Sequence, residues 1–337
     1  MILVTGGTGL VGSHLLYELA LKNESIKAIY RNAEKQSIVK KIFSYYSENA
    51  DALFNKIEWI QADLLDIPLL TEAFKNVTHV YHCAAFVTFE PNKYHELRKT
   101  NIEGTANIVN LSISNQVKKL CYVSSISTLG KILNKKDIDE DSLWNSEADN
   151  SLYGITKYGA EMEVWRGTQE GLDTVIVNPG VIIGPGIWDY GSGTIFKSVH
   201  KGLPFYTEGV TGYVSVFDVV NCMVLLMEST IKNERFIVVA ENWSYKEFIS
   251  AIATALNIKP PTKKASYFLL NMAWRLDWIK HKTTGKPRSI SKQLANTLNS
   301  ISIYKNSKIT SYLNYQFKPL SKDIEFVSKL FLKEEAH

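Results

Sequence analysis

Short apolar runs alternate with helix-like stretches along residues 2–178 of the 337-residue chain. The runs that predict strands are Ile2–Thr5, Ile26–Tyr30, Ile57–Gln61, His79–Cys83, Lys119–Ser124 and Thr174–Asn178. The stretches that predict helices are Leu10–Leu21, Ala33–Tyr46, Leu65–Phe74, Lys93–Gln116 and Tyr153–Gln169. Mostly apolar strands that alternate with helices are typical of a parallel sheet covered on both faces. The pattern therefore predicts an α/β fold with a doubly wound parallel sheet, and periodicity alone leaves a flavodoxin-like strand order open.

After residue 186 the alternation becomes less regular, and a smaller, mostly helical C-terminal lobe is expected. We expect a first domain over 1–186, to which 213–240 return through a strand at Val214–Val216, a helix from Phe217 and a strand at Phe236–Val239. The second lobe then comprises 187–212 and 241–337.

One apolar helix face is predicted in this second lobe, because apolar residues recur there at helical spacing. Its residues are Ala265, Phe268, Leu269, Met272, Leu276 and Ile279. Packing against the core is the first explanation for this face. The wall of an apolar pocket and contact with a membrane surface are the alternatives.

The glycine-rich segment TGGTGLVG, residues 5–12, stands between the first predicted strand and the first predicted helix. Gly6 permits a tight turn, Gly9 lets the backbone approach a pyrophosphate, and Gly12 lets the helix pack closely on the sheet. The helix start offers N–H groups and a positive dipole end to phosphates. The spacing therefore predicts a dinucleotide site, and the Gly-Lys-Ser/Thr ending of an ATP-binding P-loop is missing.

The end of the second predicted strand bears on which dinucleotide binds. That strand ends at Tyr30 and Arg31, with Lys35 shortly after and no carboxylate at its end. An NAD site usually places Asp or Glu there, whereas a guanidinium pairs with the 2′-phosphate of NADP. We therefore predict NADP, with NAD as the alternative. Asp63, which follows the third strand, can accept the adenine amino group or cap the next helix.

A tyrosine, a lysine and a serine form a candidate catalytic set. Tyr153 and Lys157 lie four residues apart in a predicted helix and therefore share one face. A nearby cation lowers the pKa of a tyrosine from about 10, so that the phenol can exchange a proton with a substrate oxygen. Ser124 and Ser125 end the fifth strand at the ligand side of the sheet, where a hydroxyl can polarise a carbonyl. Asn101 lies within a predicted helix, either as a relay through water to the lysine or as a helix N-cap.

These motifs resemble those of the extended short-chain dehydrogenases/reductases, within the NAD-dependent epimerase/dehydratase superfamily. The resemblance is carried by TGGTGLVG at 5–12, Asp63-Leu64, HCAA at 82–85, Asn101, Ser125, Tyr153 with Lys157, and NPGVIIGPG at 178–186. VYHCAAFVTF, NIEGTANIV and YVSSIS are most similar to the branch of dihydroflavonol reductases and 3-beta-hydroxysteroid dehydrogenases. Asn178, where many relatives carry Arg, and the segment 214–220, which lacks the usual His before Asp218, depart from the pattern on the side expected to face the substrate.

The resemblance implies an NAD(P)-dependent oxidoreductase with a Rossmann domain that interconverts a carbonyl and an alcohol. It implies that Tyr153 is the acid/base and that Lys157 lowers its pKa and binds the nicotinamide ribose. Ser125 is implied to bind the reacting oxygen, and Asn101 to support a proton relay. The implied cofactor contacts are Thr5, Gly6, Gly9, Leu10, Val11, Gly12, Arg31, Asp63, Leu64, Cys83, Ala84, Ala85, Tyr153, Lys157, Pro179, Val181 and Ile182. A nucleotide-sugar epimerase or dehydratase that retains its cofactor, and a non-catalytic NADP-binding sensor, are the alternatives.

Composition limits the class of partner. The net charge of +4 is too small to indicate a nucleic acid partner. Residues 241–337 nevertheless carry a surplus of nine basic over acidic residues, which fits a solvated surface, an anionic ligand or an acidic membrane surface. The aromatic content of this lobe predicts a largely apolar small-molecule carbonyl or alcohol substrate.

The cysteines and the N-terminus bear on metals and location. Cys83, Cys121 and Cys222 lie far apart without metal-ligand spacing, which predicts free thiols and no metal. The N-terminus shows no signal peptide pattern, so we expect a cytoplasmic protein. No apolar run reaches the roughly 20 residues of a membrane span, although peripheral membrane contact stays open. The predicted helices 93–116 and 153–169 allow a homodimer.

Overall fold

The computed structural model of the protein describes residues 1–88, 90–130, 137–284 and 291–336. Its strands are β1 Ile2–Thr5, β2 Ile26–Tyr30, β3 Ile57–Gln61, β4 His79–His82, β5 Lys119–Val123, β6 Asp137–Ile138, β7 Thr174–Pro179, β8 Val181–Ile183, β9 Phe205–Tyr206, β10 Val210–Ser215, β11 Glu234–Val238, β12 Glu241–Ser244, β13 Lys263–Lys264 and β14 Ile303–Tyr304. Its α-helices are α1 Leu10–Leu21, α2 Gln36–Ser44, α3 Ala50–Phe54, α4 Ile67–Ala73, α5 Tyr94–Leu97, α6 Gly104–Ser114, α7 Leu152–Gln169, α8 Gly193–His200, α9 Val216–Glu228, α10 Tyr245–Ala255, α11 Tyr267–Thr284, α12 Lys292–Thr297, α13 Ser307–Leu313 and α14 Leu320–Glu335.

Seven parallel strands form the central sheet, in the order β11-β7-β5-β4-β1-β2-β3. Ile2 of β1 lies opposite Ile26 of β2 on one side and His79 of β4 on the other. The order of the strands reverses between β1 and β4, and ligands bind at the carboxyl ends of strands at such a switch point. The predicted doubly wound α/β fold is confirmed, and the strand order is not the flavodoxin-like one.

Both faces of this sheet are covered. In β1, Val4 packs with Leu15 of α1, whereas its neighbour Leu3 packs on the opposite face with Ile108 of α6 and Val164 of α7. All five of these side chains are fully buried. Because each face has its own apolar cluster, the central strands are apolar runs and do not alternate between apolar and polar residues.

A second, smaller lobe is built on a three-stranded sheet in the order β12-β10-β8. Phe248 of α10 and Phe331 of α14 are fully buried in its core. The prediction that Val214–Val216 rejoins the main sheet is wrong, because β11 pairs with β7 at that edge and β10 pairs with β8. The helix predicted from Phe217 and the strand predicted at Phe236–Val239 do return to the first domain. The helix is α9, which packs on the main sheet, and the strand is β11, which pairs with β7.

The apolar residues predicted to face the core from α11 are mostly exposed. Ala265, just before the helix, is buried, and Leu270 packs with Ala295 of α12. Phe268, Leu269, Met272, Leu276 and Ile279 are between 41% and 75% exposed. The prediction of core packing for this face is therefore wrong. No helix in the described part of the chain is long and apolar enough to cross a membrane.

Candidate active site

The glycine-rich loop joins β1 to α1 at the switch point of the sheet. Gly6 has a φ of +68°, in the left-handed region that favours glycine. A Cβ on Gly6 would lie 2.6 Å from the backbone nitrogen of Ala84, and one on Gly12 would clash with the carbonyl oxygen of Gly6. The fold itself therefore requires these two glycines, because the turn packs against the end of β4 and α1 packs against the turn.

Gly9 lies in a more open part of the same loop. A Cβ there would meet one described protein atom within 4 Å, the carbonyl oxygen of Gly6 at 3.3 Å. Gly9 is also the N-cap of α1, and it has no side chain that accepts from the N–H groups of the first turn. An open backbone cradle at the positive end of a helix fits the pyrophosphate of a dinucleotide.

A buried histidine joins the ends of β1 and β4 beside this loop. The Nδ1 atom of His82 lies 2.6 Å from the hydroxyl of Thr5, and its Nε2 atom lies 2.9 Å from the hydroxyl of Thr105. Burial lowers the pKa of His82 to about 3, and the Lys157 ammonium contributes to this shift. Thr5 is fully buried and also accepts a hydrogen bond from the N–H of Ala84, so its side chain supports the loop from within.

The remaining predicted cofactor contacts lie along one edge of the sheet. They stand in the first turn of α1, just beyond the carboxyl ends of β3 and β4, at the end of β7, or in β8, which follows it. Among them are the buried Val11, Leu64 and Pro179, the half-buried Leu10, Cys83, Ala84, Val181 and Ile182, and the exposed Ala85. Positions far apart in the sequence are thus brought to the edge where the glycine loop opens.

Arg31 and Asp63 meet at the far side of this edge, where β2 and β3 end. The Nη1 atom of Arg31 lies 3.6 Å from the Oδ2 atom of Asp63, and the two side chains are 63% and 44% exposed. Asp63 also accepts a hydrogen bond from the N–H of Leu65 at 2.9 Å. Helix α4 is capped by Asp66, which accepts from Leu69, so the helix-cap role considered for Asp63 is wrong. The exposed guanidinium remains accessible to an anionic group.

Tyr153 and Ser125 meet at the carboxyl edge of the sheet, where the serine hydroxyl lowers the pKa of the phenol. Ser125 lies just beyond β5, and its hydroxyl accepts from the N–H of Ser127 at 3.1 Å. Tyr153 lies in the first turn of α7, which Ser151 caps by accepting from the N–H of Gly154 at 2.9 Å. Burial raises the pKa of Tyr153 to about 12, and the Ser125 hydroxyl opposes the rise. The phenol is therefore protonated at neutral pH.

Lys157 lies one turn beyond Tyr153 and is 1% exposed. Its ammonium donates to the hydroxyl of Tyr122 at 2.6 Å and to the carbonyl oxygen of Val123 at 2.7 Å. Burial lowers the pKa of Lys157 to about 7, against the opposing influence of the Glu161 carboxylate. The pKa of Tyr153 is thus raised and not lowered as the sequence predicted, because burial outweighs any effect of a cation that is held by other partners.

A polar network that the sequence had not indicated lies beneath these residues. Glu161 of α7 is fully buried, and its Oε2 atom accepts from the hydroxyls of Ser124 at 2.6 Å and Thr128 at 2.9 Å. The side-chain amide of Asn178 donates to the same oxygen at 2.9 Å. Arg235 of β11 pairs with the Oε1 atom at 3.1 Å. The network thereby joins α7 to β5, β7 and β11.

Asn178 connects this network to the candidate catalytic serine. Its side-chain amide also donates to the carbonyl oxygen of Ser125 at 3.2 Å, and the residue is fully buried. Asp218 is buried too, and it accepts from the hydroxyl of Tyr315 at 2.6 Å. Asn178 therefore faces this network, and the expectation that it faces the substrate is wrong, whereas the expectation for the segment 214–220 stays a prediction. The position of Glu161, four residues after Lys157 on the same helix face, was the available sequence signal.

Asn101 lies in a π-helical turn, Arg98–Glu103, which interrupts the single helix predicted over 93–116. Its side chain accepts from the N–H of Phe86 at 2.7 Å and donates to the carbonyl oxygen of Phe86 at 3.0 Å. It also donates to the hydroxyl of Thr156 in α7 at 3.1 Å. The N-cap alternative for Asn101 is therefore wrong, and its side chain joins the segment after β4 to α7. Such π-helical turns are frequent at functional sites.

No group of three His, Cys, Asp or Glu residues in the described chain is placed to hold a metal ion. Cys83, Cys121 and Cys222 are free thiols.

The model of the NAD dependent epimerase/dehydratase family matches residues 2–240. The chain belongs to this family. The family resemblance read from the sequence motifs is thereby confirmed.

Relatives of this chain include proteins that are 24–29% identical to it over the aligned residues. It is 29% identical to sterol demethylase protein B of Methylococcus capsulatus over 245 residues, which cover 71% of this chain and 70% of that protein. It is 27% identical to tetraketide alpha-pyrone reductase 2 of Arabidopsis thaliana over 278 residues, 78% of this chain and 85% of the relative. The crystal structure of gox2253 superimposes with a TM-score of 0.80 at 24% identity and covers 99% of this chain and 98% of that one.

Proposed function

We propose that this protein is an NADP(H)-dependent oxidoreductase that interconverts the carbonyl and alcohol forms of a small, largely apolar substrate. The observation that supports this most directly is the placement of Tyr153 beside Ser125 at the same sheet edge as the open glycine loop. When bound, the nicotinamide nucleotide supplies or accepts the hydride. The residues of the chain position the substrate oxygen and handle its proton.

Tyr153 and Ser125 act on that oxygen. The Ser125 hydroxyl donates a hydrogen bond to the substrate oxygen and holds it beside the phenol. The phenol, whose pKa burial raises to about 12, carries the proton that it gives to the oxygen as a carbonyl becomes an alcohol. In the reverse direction Tyr153 takes the proton back from the alcohol.

Lys157 and Asn101 act next to this pair. Two of the three N–H groups of the Lys157 ammonium are used by Tyr122 and Val123, which leaves the third for a ribose hydroxyl of the cofactor. The side-chain amide of Asn101 is held by Phe86 and Thr156. We therefore assign Asn101 to positioning α7 in preference to relaying protons.

The glycine loop and Arg31 are assigned to the cofactor. Gly6, Gly9 and Gly12 form the turn that takes the pyrophosphate, and Arg31 is placed for the 2′-phosphate of NADP. Replacing Arg31 with Ala is expected to weaken NADPH binding by roughly tenfold to a hundredfold, since a charge-assisted hydrogen bond is lost, and to leave NADH binding unchanged. Fluorescence titration measures both dissociation constants, and Arg166→Ala is the matched control on another surface. Equal weakening for the two nucleotides would refute the assignment.

The chemistry is tested by following NADPH absorbance with a panel of aldehydes, ketones and sugar nucleotides. Tyr153→Phe is expected to lower kcat by roughly 10²–10⁴-fold while NADPH binding is retained, because only the exchangeable proton is removed. Tyr158→Phe is the control, since the ring of Tyr158, which stacks on Trp144 at 4.5 Å, is preserved. Undiminished turnover in Tyr153→Phe would contradict the mechanism.

The same panel separates the alternatives. A nucleotide-sugar epimerase or dehydratase of this family would convert a sugar nucleotide with no net consumption of NADPH. A non-catalytic sensor would bind NADPH and turn over none of the compounds. Net oxidation of NADPH by an apolar ketone or aldehyde supports the proposed reaction against both.

Three coarser features of the protein belong to this proposal. We assign residues 1–186 with 216–240 to the cofactor and 187–215 with 241–337 to the substrate, a division that keeps β10 together with β12, one of its two partner strands. We propose a cytoplasmic location, which free thiols fit. A homodimer remains a prediction, which analytical ultracentrifugation tests.

A further inference from the structure

Among the described residues, helix α11 packs on the protein through the side that carries Leu270. Leu270 is 8% exposed and packs with Ala295 of α12, and Trp274 and Leu298 pack against the same small cluster. Leu270 and Trp274 are four residues apart and therefore lie on one face of the helix. Asp277, seven residues after Leu270, lies on that same face.

The opposite side of α11 is an exposed apolar stripe. Successive helical residues are rotated by about 100°, which places five apolar side chains within an arc of about 100° opposite Leu270. The members of this α11 stripe and their exposed fractions are Phe268 at 75%, Leu269 at 41%, Met272 at 43%, Leu276 at 59% and Ile279 at 50%. A contiguous apolar surface of this kind usually marks an interaction site.

Cationic side chains flank the stripe on both sides. By the same rotation Arg275 and Lys282 lie along one border and Lys280 along the other. The Arg275 guanidinium lies 4.6 Å from the centre of the Trp274 ring, and the Lys282 ammonium lies 5.9 Å from the Trp278 ring. Trp278 is itself 46% exposed. Apolar side chains bordered by Lys, Arg and Trp are the pattern of a helix that lies in a membrane interface.

We propose that the α11 stripe docks on the surface of a bilayer that contains anionic phospholipids. The stripe enters the boundary between headgroups and acyl chains, and Arg275, Lys280 and Lys282 contact the phosphates. Charge favours this occupant over a second copy of the chain. A two-fold dimer would place identical patches face to face and bring these cations close to one another.

The docked helix is joined to the segment that leads into the candidate site. In α12, the Asn296 amide donates to Asp149 at 3.0 Å and the Gln293 amide donates to the carbonyl oxygen of Asn150 at 3.1 Å. Residues 149 and 150 directly precede Ser151, the N-cap of α7. A substrate dissolved in the bilayer would thus be supplied close to the site. This consequence rests on the proposed function, whereas bilayer binding does not.

Vesicle flotation of the full chain tests the proposal. The protein is expected to float with vesicles of phosphatidylcholine and phosphatidylglycerol and to float poorly with phosphatidylcholine alone. Phe268→Ser combined with Leu276→Ser is expected to weaken binding by roughly tenfold or more, because two apolar side chains no longer enter the bilayer. The matched control is Leu65→Ser combined with Leu69→Ser, which alters two leucines of 42% and 44% exposure elsewhere and is expected to change nothing.

The cations are tested separately. Arg275→Gln and Lys282→Gln are each expected to weaken binding to the anionic vesicles by roughly fivefold. Lys75→Gln and Lys118→Gln alter exposed lysines of the first domain and are expected to leave binding unchanged. High salt is expected to reduce the preference for anionic vesicles, because it screens surface charge.

Three outcomes would overturn the proposal. The unmodified chain does not float with anionic vesicles, or the stripe variant floats equally well, or the stripe variant converts a dimer of the chain into a monomer in the absence of vesicles. NADPH binding and the thermal midpoint of each variant are compared with those of the unmodified chain to confirm folding. The fluorescence of Trp278 provides a readout in the unmodified chain, and the Trp278→Phe variant identifies the contribution of this residue by difference. The emission of Trp278 is expected to shift to shorter wavelength when anionic vesicles are added. The absence of a shift would contradict docking.

Discussion

Helices α7 and α11 are both 18 residues long, but α7 buries charged side chains whereas α11 exposes apolar ones. In α7 the charged side chains of Lys157 and Glu161 are 1% and 0% exposed. In α11 the apolar side chains of Phe268 and Leu276 are 75% and 59% exposed. Charged residues are usually outside and large apolar ones inside. Helix α7 and the proposed docking face are thus two of the places where this protein departs from that rule.

The two departures differ in how they are stabilised. The buried charges of α7 have partners within the protein, since Glu161 accepts from side chains of three strands or their flanking turns and Lys157 donates to Tyr122 and Val123. Such partners offset the loss of hydration. The apolar residues of α11 gain their stabilisation only when a surface covers them. A buried network therefore indicates positioning within the molecule, whereas an exposed stripe indicates a surface outside it.

The largest effect on stability is expected from Glu161→Gln. The substitution leaves the half-buried Arg235 guanidinium without its counter-ion and removes the charge that the buried network holds, and we expect the free energy of unfolding to fall by about 3–5 kcal/mol. Glu163→Gln is the control on the same helix: Glu163 pairs with the partly exposed Arg166, and its loss is expected to matter by less than about 1 kcal/mol. Urea denaturation measures both. Similar small values for the two variants would show that the network does not hold α7.

The next effect separates the two faces of α11. Leu270→Ala is expected to lower the free energy of unfolding by about 2–5 kcal/mol, because it leaves a cavity against α12. Leu276→Ala is expected to change the free energy of unfolding by no more than about 0.5 kcal/mol, because the Leu276 side chain is 59% exposed. Thermal and urea unfolding of the two variants give the comparison. An equal loss would mean that the stripe packs within the protein and would remove the contrast with α7.

A smaller effect is expected in the dependence of stability on pH. Without cofactor, burial lowers the pKa of Lys157 from 10.5 to about 7. Between these values the unfolded chain binds more protons than the folded one, so the Lys157 contribution makes stability rise with pH from about 7 towards 10.5, by at most about 1.4 kcal/mol per pH unit. Lys157→Met is expected to remove this rise and Lys280→Met, on the exposed helix, to retain it. Urea midpoints across the pH range decide, and parallel curves for both variants would refute the prediction.

The smallest effect concerns the two N-caps. Ser151 caps α7, and Ser266 accepts from the N–H of Leu269 at 3.2 Å at the start of α11. Removing either hydroxyl with Ala is expected to lower stability by about 1 kcal/mol. Only Ser151→Ala is expected to lower kcat of the proposed reaction as well, because Tyr153 lies in the first turn of α7. Equal kcat values for the two variants would mean that this cap does not position the phenol.

Local patterns predicted the first half of the chain well. β1, β2 and β3 have the predicted bounds, because each is a mainly apolar run that ends at a turn. β1 and β2 are mostly buried, whereas β3, at the edge of the sheet, is largely exposed or half-buried. Gly6 and Gly12 were recognised by spacing alone, and the structure supplies the reason, which is the close approach of the backbone at both positions. Such features carry a recurrent local sequence pattern, and the pattern can be read even where its physical reason is a distant contact.

Features that depend on distant partners could not be read in this way. Arg235 lies 74 residues from Glu161 in the sequence, and no local pattern joins them. Val214 and Ser215, which belong to β10, were assigned to the wrong sheet. The strand with which an apolar run pairs is set by contacts with distant segments, and the run itself carries no sign of them. The pKa of Tyr153 was predicted in the wrong direction. The spacing of Tyr153 and Lys157 indicates a nearby cation but not burial, and burial has the larger effect on this pKa.

The sequence by itself determined the alternation of strands and helices, the glycine loop and the spacing of Tyr153 and Lys157, because each is set by the periods of the backbone. Only the tertiary structure decided which charges are buried and which apolar side chains are left exposed. An amphipathic pattern indicates that a helix has an apolar face. The sequence pattern is the same whether that face packs on a core, lines a pocket or contacts a bilayer. Burial depends on how elements pack together. The packing of α12 on the Leu270 side of α11 decided which face of α11 is buried and which is exposed.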